Sequence, residues 1–155
     1  MLRIQEADFA NSQHASATVE LVDSYARGPG GQNAPLTEVA RENMATGLRD
    51  HPMACVLLAF VDECPVGVAI CIWGFSTFAG RPTVNVCDFA VRPDSQNQGI
   101  GRALLDEVEA RARLRGCCKM TLEVHETNDG AKRFYRRFGF GPWDLPTLFV
   151  SKPLC

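Results

Sequence analysis

The stretch Val84 to Leu105, VNVCDFAVRPDSQNQGIGRALL, constrains this chain more than any other. An apolar run ends at Val91, and a turn with Pro93, Asp94 and Ser95 follows. Gln96-Asn97-Gln98-Gly99-Ile100-Gly101 then leads into a helix at Arg102. A strand, a glycine-containing loop and a helix N-terminus in succession form an anion site. The first N–H groups of a helix have no intrahelical acceptor, and the helix dipole places partial positive charge at the same end. A strand that feeds a helix also calls for helices laid on a sheet.

The rest of the chain supplies that sheet. Leu2 and Ile4 suggest a short first strand. Ala15 to Arg27 and Pro35 to Asp50 read as helices, separated by the loop Gly28-Pro29-Gly30-Gly31-Gln32-Asn33. In the second helix Leu36, Val39, Ala40, Met44 and Leu48 fall near one face. Met53 to Val61 and Val66 to Trp73, joined by a turn at Asp62 to Pro65, form an antiparallel hairpin, and Thr83 to Val91 is the next strand. Gly101 to Arg115 is an amphipathic helix stopped by Gly116. Lys119 to His125 is a strand with Glu123 on its polar face. Asp129 to Phe138 is a helix capped at Thr127 or Asn128 and stopped by Gly139. Thr147 to Lys152 reads as a final short strand. The expected fold is α/β (α+β): one domain over 1–155, with a mixed, mostly antiparallel sheet and helices on both faces.

Composition narrows the function. The 155 residues are 46% hydrophobic and 22% charged, enough for a real core. The net charge of −2, with the two signs interspersed, argues against nucleic acid. No apolar run is long enough to span a bilayer, and MLRIQEADFA lacks the apolar core of a signal peptide, so a cytoplasmic protein is expected, with no membrane partner. Of the seven cysteines, Cys55, Cys71, Cys87 and Cys118 sit in apolar or strand-like runs and read as buried free thiols. There is no CxxC, and His14, His51 and His125 are scattered, so no metal site is expected.

Gln96, Gly99 and Gly101 fit the pattern R/Q-x-x-G-x-G/A. A dinucleotide-binding loop is the rival reading of these glycines, but its third glycine position holds Leu104. After the loop come an amphipathic helix, a strand and a second helix, with Asn128, Ala131, Tyr135 and Gly139-Phe140 in sequence. This arrangement resembles the GNAT superfamily of acyl-CoA N-acyltransferases, most strongly over 84–140. One departure is Asn97, where the family often has glycine; asparagine is among the side chains most at ease in unusual backbone conformations.

The resemblance implies acetyl-CoA as cosubstrate and no metal. It implies that Phe89, Ala90 and Val91 offer their backbone to the pantetheine arm, on a strand that splays from its neighbour. It implies that Gln96, Asn97, Gln98, Gly99, Ile100, Gly101 and Arg102 meet the pyrophosphate, and that Asn128 meets the far part of the pantetheine. A plain helix cap is the competing role for Asn128.

Acyl transfer to an amine needs a neutral amine, a donor for the oxyanion and a proton for the leaving thiolate. Tyr135 occupies the position of the family's tyrosine acid, and a phenol stays protonated at neutral pH yet can donate. Glu123 leads as the base: its strand looks like that of N-terminal alanine acetyltransferases of ribosomal proteins. Asp88 is the second candidate. The segment from Phe75-Ser76-Thr77 to Val91 is similar to that of diamine acetyltransferases, although Cys87 replaces their glutamate and only Asp88 remains. Alternation puts Cys87, Phe89 and Val91 on one face of the strand and Asp88 and Ala90 on the other.

The expected function is therefore acetylation of a primary amine, with a small-molecule acceptor first and a protein N-terminus or lysine as a further option. The alternative is a catalytically silent acetyl-CoA-binding sensor or partner module. Family members often dimerise, so the resemblance implies a homodimer. The loop from Gly28 to Asn33 is read as a flexible border of the acceptor cleft.

Overall fold

A computed structural model describes residues 1–145 and 147–154. They divide into two compact units, Met1–His125 and Glu126–Cys155. Cys155, counted among the thiols above, lies outside the described residues.

The first unit runs β1 (Leu2–Glu6), α1 (Ser12–Arg27), α2 (Glu38–Asp50), β2 (Ala54–Val61), β3 (Cys64–Ser76), β4 (Arg81–Val91), a 3-10 turn at Pro93–Ser95, α3 (Ile100–Leu114) and β5 (Lys119–Leu122). The five strands form one sheet in the order β1-β2-β3-β4-β5. Neighbours are antiparallel except β4 and β5, which are parallel. A parallel pair needs a crossover connection, and α3 supplies it. The expected mixed, mostly antiparallel sheet is thus observed.

Local chemistry sets the element ends. The Asn11 side chain accepts from the Gln13 N–H at 2.9 Å, so α1 starts before Ala15, where periodicity put it. The Thr37 hydroxyl accepts from the Ala40 N–H at 3.2 Å, so α2 starts at Glu38 and not at Pro35. Asp62 and Glu63 both have positive φ, 48° and 67°, which is the twist a two-residue hairpin loop requires. β3 therefore resumes at Cys64. Pro65, which has no N–H to give the ladder, sits where the register slips beside Ala59 and Phe60.

The sheet buries both faces. On one, Val56, Leu58, Phe60, Val68, Ile70 and Ala90 pack with Ala17, Leu21 and Val22 of α1, and Leu36, Met44 and Leu48 close the edge. No α2 residue is fully buried and Val39 is exposed, so the predicted apolar stripe of that helix is only partly used. On the other face lies α3, whose Ile100, Leu104, Leu105, Val108 and Ala112 are buried. A Cβ on Gly67 would meet Leu104 Cδ1 at 3.0 Å, the Ala90 carbonyl oxygen at 3.2 Å and Ile100 Cγ2 at 3.4 Å. Glycine at this point of β3 is what lets the start of α3 lie close on the sheet.

In the second unit, α4 (Asp129–Phe138) begins where the Asn128 carboxamide oxygen accepts from the Ala131 N–H at 3.1 Å, and ends at Gly139 with φ 100°. Both ends match expectation. The strand expected over Thr147 to Lys152 does not form: none of these residues is in a ladder, and Leu148, Phe149 and Val150 are exposed. Three successive apolar residues give strand propensity, but a strand exists only where a neighbour takes its N–H and C=O groups, and Pro153 interrupts directly after. No helix among the described residues is long and apolar enough to cross a membrane.

Candidate cofactor and active site

The β4–β5 ladder runs from Thr83↔Lys119 to Val86↔Leu122 and stops there. β4 continues to Val91, still paired with β3 through Val91↔Gly67. Among the described residues, β4 from Cys87 onward therefore has a ladder partner on one side only. Phe89, Ala90 and Val91, the residues expected to offer backbone to a ligand, all lie in the section of β4 past the end of the β5 ladder. The sheet also changes phase here. Cys71 is opposite Val86 while Ile70 is opposite Asp88, which leaves Cys87 as an extra residue, a β-bulge.

The bulge decides which way the carboxylate points. Asp88 and Ala90 share the face of Ile70 and Val68, the side covered by α1, whereas Phe89 and Val91 share the face of Ala69 and Gly67, the side covered by α3. Alternation alone places Asp88 and Ala90 together, as found. It does not reveal that Cys87 stands out of the alternation and is exposed. Two of the four thiols expected to be buried, Cys87 and Cys118, are exposed, the first because it bulges and the second because it precedes β5. Cys55 and Cys71 are buried, and burial pushes the Cys71 thiol up to about 12.

Two carboxylates stand where β4 and β5 part. Asp88 is half-buried, and burial raises its pKa above the ordinary carboxylate value. Among the described residues no cation or hydrogen-bond donor is paired with it. Glu123 is exposed, one residue past the end of β5. The Cys87 thiol, though the residue is exposed, is raised by partial desolvation from its neighbours, then by the charges of Asp88 and of Glu123, so both carboxylates bear on one spot. A desolvated carboxylate without a counter-ion is suited to taking a proton near neutral pH.

The loop after β4 takes the shape its sequence promised. Asn97 has φ 60° and Gly99 has φ 81°, both left-handed. Asparagine thus fills a position that favours glycine. The Gln96 side chain donates to the Val91 carbonyl at 3.2 Å and that of Gln98 to the Asp94 carbonyl at 3.2 Å, which leaves the backbone of the loop turned to other uses. Among the described residues, the N–H groups of Gly99, Ile100 and Gly101 make no backbone hydrogen bond, whereas that of Gln98 closes the turn over Gln96 and Asn97; the first bond of α3 is Ala103 N–H to the Gly99 carbonyl. The buried Ile100 anchors this row on the sheet. Arg102 Nε pairs with Asp106 at 3.2 Å. An array of N–H groups at the head of a fifteen-residue helix can hold the phosphates of a nucleotide-linked cofactor.

In the second unit, the Asn128 side chain caps α4, the role that competed with ligand contact. Tyr135 is buried, with Phe134 and Phe140 edge-on at 5.4 Å and 5.6 Å between ring centroids.

Three features escaped sequence reading. One is the bulge at Cys87. The second is the order of the Gly28–Asn33 loop, which is not loose. Gln32 and Ala34 donate backbone N–H groups to the Ala26 carbonyl at 2.9 and 3.3 Å, and the Tyr25 hydroxyl donates to the Gly30 carbonyl at 2.6 Å. The third is Asp23, which gathers Arg27, Arg41 and the Leu36 N–H. The i,i+4 spacing of Asp23 and Arg27 was the legible signal for it.

A bovine (Bos taurus) thialysine N-epsilon-acetyltransferase is 32% identical to this chain over 76 residues, 49% of this chain and 44% of that protein. A mycothiol acetyltransferase of Streptosporangium roseum is 34% identical over 69 residues, 44% of this chain and 20% of that protein. The chain thus spans less than half the length of these relatives. The fold is similar to that in the crystal structure of ribosomal-protein-alanine N-acetyltransferase from Brucella melitensis biovar Abortus 2308, with a TM-score of 0.79 at 20% identity, covering 99% of this chain and 100% of that one. A family model described as the acetyltransferase (GNAT) family matches residues 17–140, and the chain belongs to that family.

Proposed function

We propose that this protein is an N-acetyltransferase that moves the acetyl group of acetyl-CoA to a primary amine by direct attack. The observation that carries the reading is the row of N–H groups at Gly99, Ile100 and Gly101 that make no backbone bond among the described residues, beside the section of β4 past the end of the β5 ladder. The first suits the pyrophosphate of the cofactor and the second the amides of its pantetheine arm. The family match runs across the boundary between the two compact units, which supports reading them as one catalytic domain.

In the proposed reaction the acceptor ammonium gives a proton to a carboxylate, Glu123 or Asp88, directly or through water. The neutral nitrogen attacks the thioester carbonyl carbon. As the tetrahedral adduct collapses the C–S bond breaks, the thiolate takes a proton from Tyr135, and the proton leaving nitrogen returns to the phenolate through solvent. The products are the acetamide and CoA thiol, and one proton is released overall. The raised pKa of Asp88 favours it as the group that holds the proton. A small-molecule acceptor is the first choice, supported by the relative that acts on thialysine. The six free cysteines among the described residues support a reducing, cytoplasmic compartment.

Thiol release from acetyl-CoA across a panel of primary amines tests the reading. Acceleration by an amine is expected. Tight binding of acetyl-CoA with no acceleration by any amine would instead identify a silent binding module. Gly101→Phe should abolish acetyl-CoA binding in calorimetry; wild-type affinity would defeat the loop assignment.

A further inference from the structure

Three side chains tie the end of the β4–β5 ladder to the bulge beside it. The last two pairs of that ladder are Asn85↔Thr121 and Val86↔Leu122, and Cys87 is the extra residue that follows. The Asn85 carboxamide nitrogen donates across the two strands to the Thr121 hydroxyl oxygen at 2.8 Å. The Cys87 thiol donates to the Asn85 carboxamide oxygen at 3.2 Å. One carboxamide thus spans two partners, with its two ends used on different strands. Asn85 is in register with Ile72 and Asp88 with Ile70, so the carboxamide and the Asp88 carboxylate leave the same face of the sheet.

A bulged residue has no residue of its own opposite it, and its strand bends there. The ladder alone therefore leaves the direction of the chain at Cys87 loosely set. The thiol-to-carboxamide bond fastens the bulge to Asn85, and the carboxamide-to-hydroxyl bond fastens Asn85 to β5. Asp88 is the next residue after the fastened one. Neither bond brings a charge to it. We propose that Asn85 is a positioning residue for proton transfer from the acceptor amine: through Cys87 it fixes the bulge, and the fixed bulge aims the Asp88 carboxylate. The inference rests on the acetyltransferase reading with Asp88 as the base, and adds to it a residue that acts through its neighbours and not on the substrate. Loss of Asn85 slows transfer and leaves cofactor affinity alone, because the loop read as holding the phosphates follows the far end of β4.

Steady-state thiol release at saturating acetyl-CoA tests the inference, with 1,4-diaminobutane, lysine and a peptide with N-terminal alanine as probes. Asn85→Ala removes both bonds. It should lower kcat about tenfold or more, since a shift of about 1 Å at a reacting group can cost about 100-fold. The KM for acetyl-CoA should stay within about twofold of wild type. Cys87 is exposed, so Cys87→Ala removes the second bond without touching the core. It should show a similar fall in kcat with an unchanged melting temperature. Cys87→Ser, whose hydroxyl can donate to the same oxygen, should recover most of that loss. The double variant should be no slower than Asn85→Ala, because residues in one chain of bonds are not additive. An unchanged kcat in either single alanine variant overturns the inference. So does a Cys87→Ser as slow as Cys87→Ala, or a double variant whose losses multiply. Asp88→Asn with the wild-type kcat overturns it as well, since nothing would be left to aim, while acetyl transfer with Glu123 as base stands. If the wild-type protein binds acetyl-CoA but neither these probes nor any other amine accelerates thiol release, the acetyltransferase reading fails and the inference falls with it.

Discussion

A phenol in a helix stripe and a phenol that acts as an acid look alike in sequence, and Tyr135 has to be separated by experiment. Its ring is buried edge-on to Phe134 and Phe140, so Tyr135→Phe keeps the apolar surface and removes only the hydroxyl. The variant should bind acetyl-CoA as the wild type does and turn over about 100-fold more slowly, the usual scale for loss of a general acid. Calorimetry and thiol release measured on the same preparation check this, and unchanged turnover would leave Tyr135 as a packing residue. Asp88 is the complementary case. Its pKa is raised by burial, so protonation at acid pH should abolish its capacity as a base and produce an acid limb in kcat/KM. Asp88→Asn should lower kcat/KM and remove that limb. If Glu123 is the sole base, Asp88→Asn keeps the wild-type kcat/KM and Glu123→Gln loses it.

The turn from β4 into α3 shows what one residue's backbone preference does for an element. Asn97 holds φ 60° and Gly99 holds φ 81°, so two of the residues between the 3-10 turn and α3 are left-handed. Asn97→Gly should fold and bind acetyl-CoA at least as well, because glycine adopts this backbone at no steric cost. Asn97→Val should weaken acetyl-CoA binding, since a β-branched residue is strained at positive φ. Equal affinity of the two variants in calorimetry would show that the loop adapts and that its shape is not preorganised. These conformations were legible because glycine and asparagine advertise them. The register shift at Cys87 was not. A bulge is a property of two strands together: Cys87 reads as one more alternating residue until Cys71 and Ile70 are seen opposite Val86 and Asp88. The loss of the strand expected over Thr147 to Lys152 has the same origin, because apolar composition states a propensity and only a neighbouring edge supplies the ladder. The early stop of β5 at Leu122, against an expected His125, is another pairing effect: its ladder to β4 ends at Val86↔Leu122, directly before the bulge at Cys87. Caps, by contrast, were readable. Asn128 and Gly139 bound α4 at the expected residues because each end is decided within one turn of chain.

At the scale of the whole molecule, two aspartates tie stability to pH with opposite sign. The hydrogen bond from Arg27 holds the Asp23 carboxyl down to about 2, with further help from the Leu36 N–H and Arg41 against the cost of burial. A lowered folded-state pKa means that Asp23 stabilises the fold at every pH above the ordinary carboxylate value of about 3.9. That stabilisation drains away as pH falls from there toward about 2. Asp88 acts the other way. Burial raises its pKa, so its ionised form costs stability at neutral pH, and the cost disappears as pH falls below the ordinary carboxylate range and both folded and unfolded chains carry the proton. Asp88→Asn should therefore melt above the wild type at pH 7 while being less active, and the gap should close on acidification. Asp23→Asn should melt below the wild type at pH 7, with its own gap closing only as pH approaches the folded-state value. Thermal melts of the three proteins between pH 7 and pH 3 read both effects at once. A lower melting temperature for Asp88→Asn at pH 7 would mean that the carboxylate has a stabilising partner in solution. It would then be a structural residue, and the argument that leaves it waiting for an ammonium ion would be lost. The expected order, with Asp88→Asn the most stable and Asp23→Asn the least, is that of a fold that keeps an unfavourable charge on β4 and braces the neighbouring helices with a favourable one.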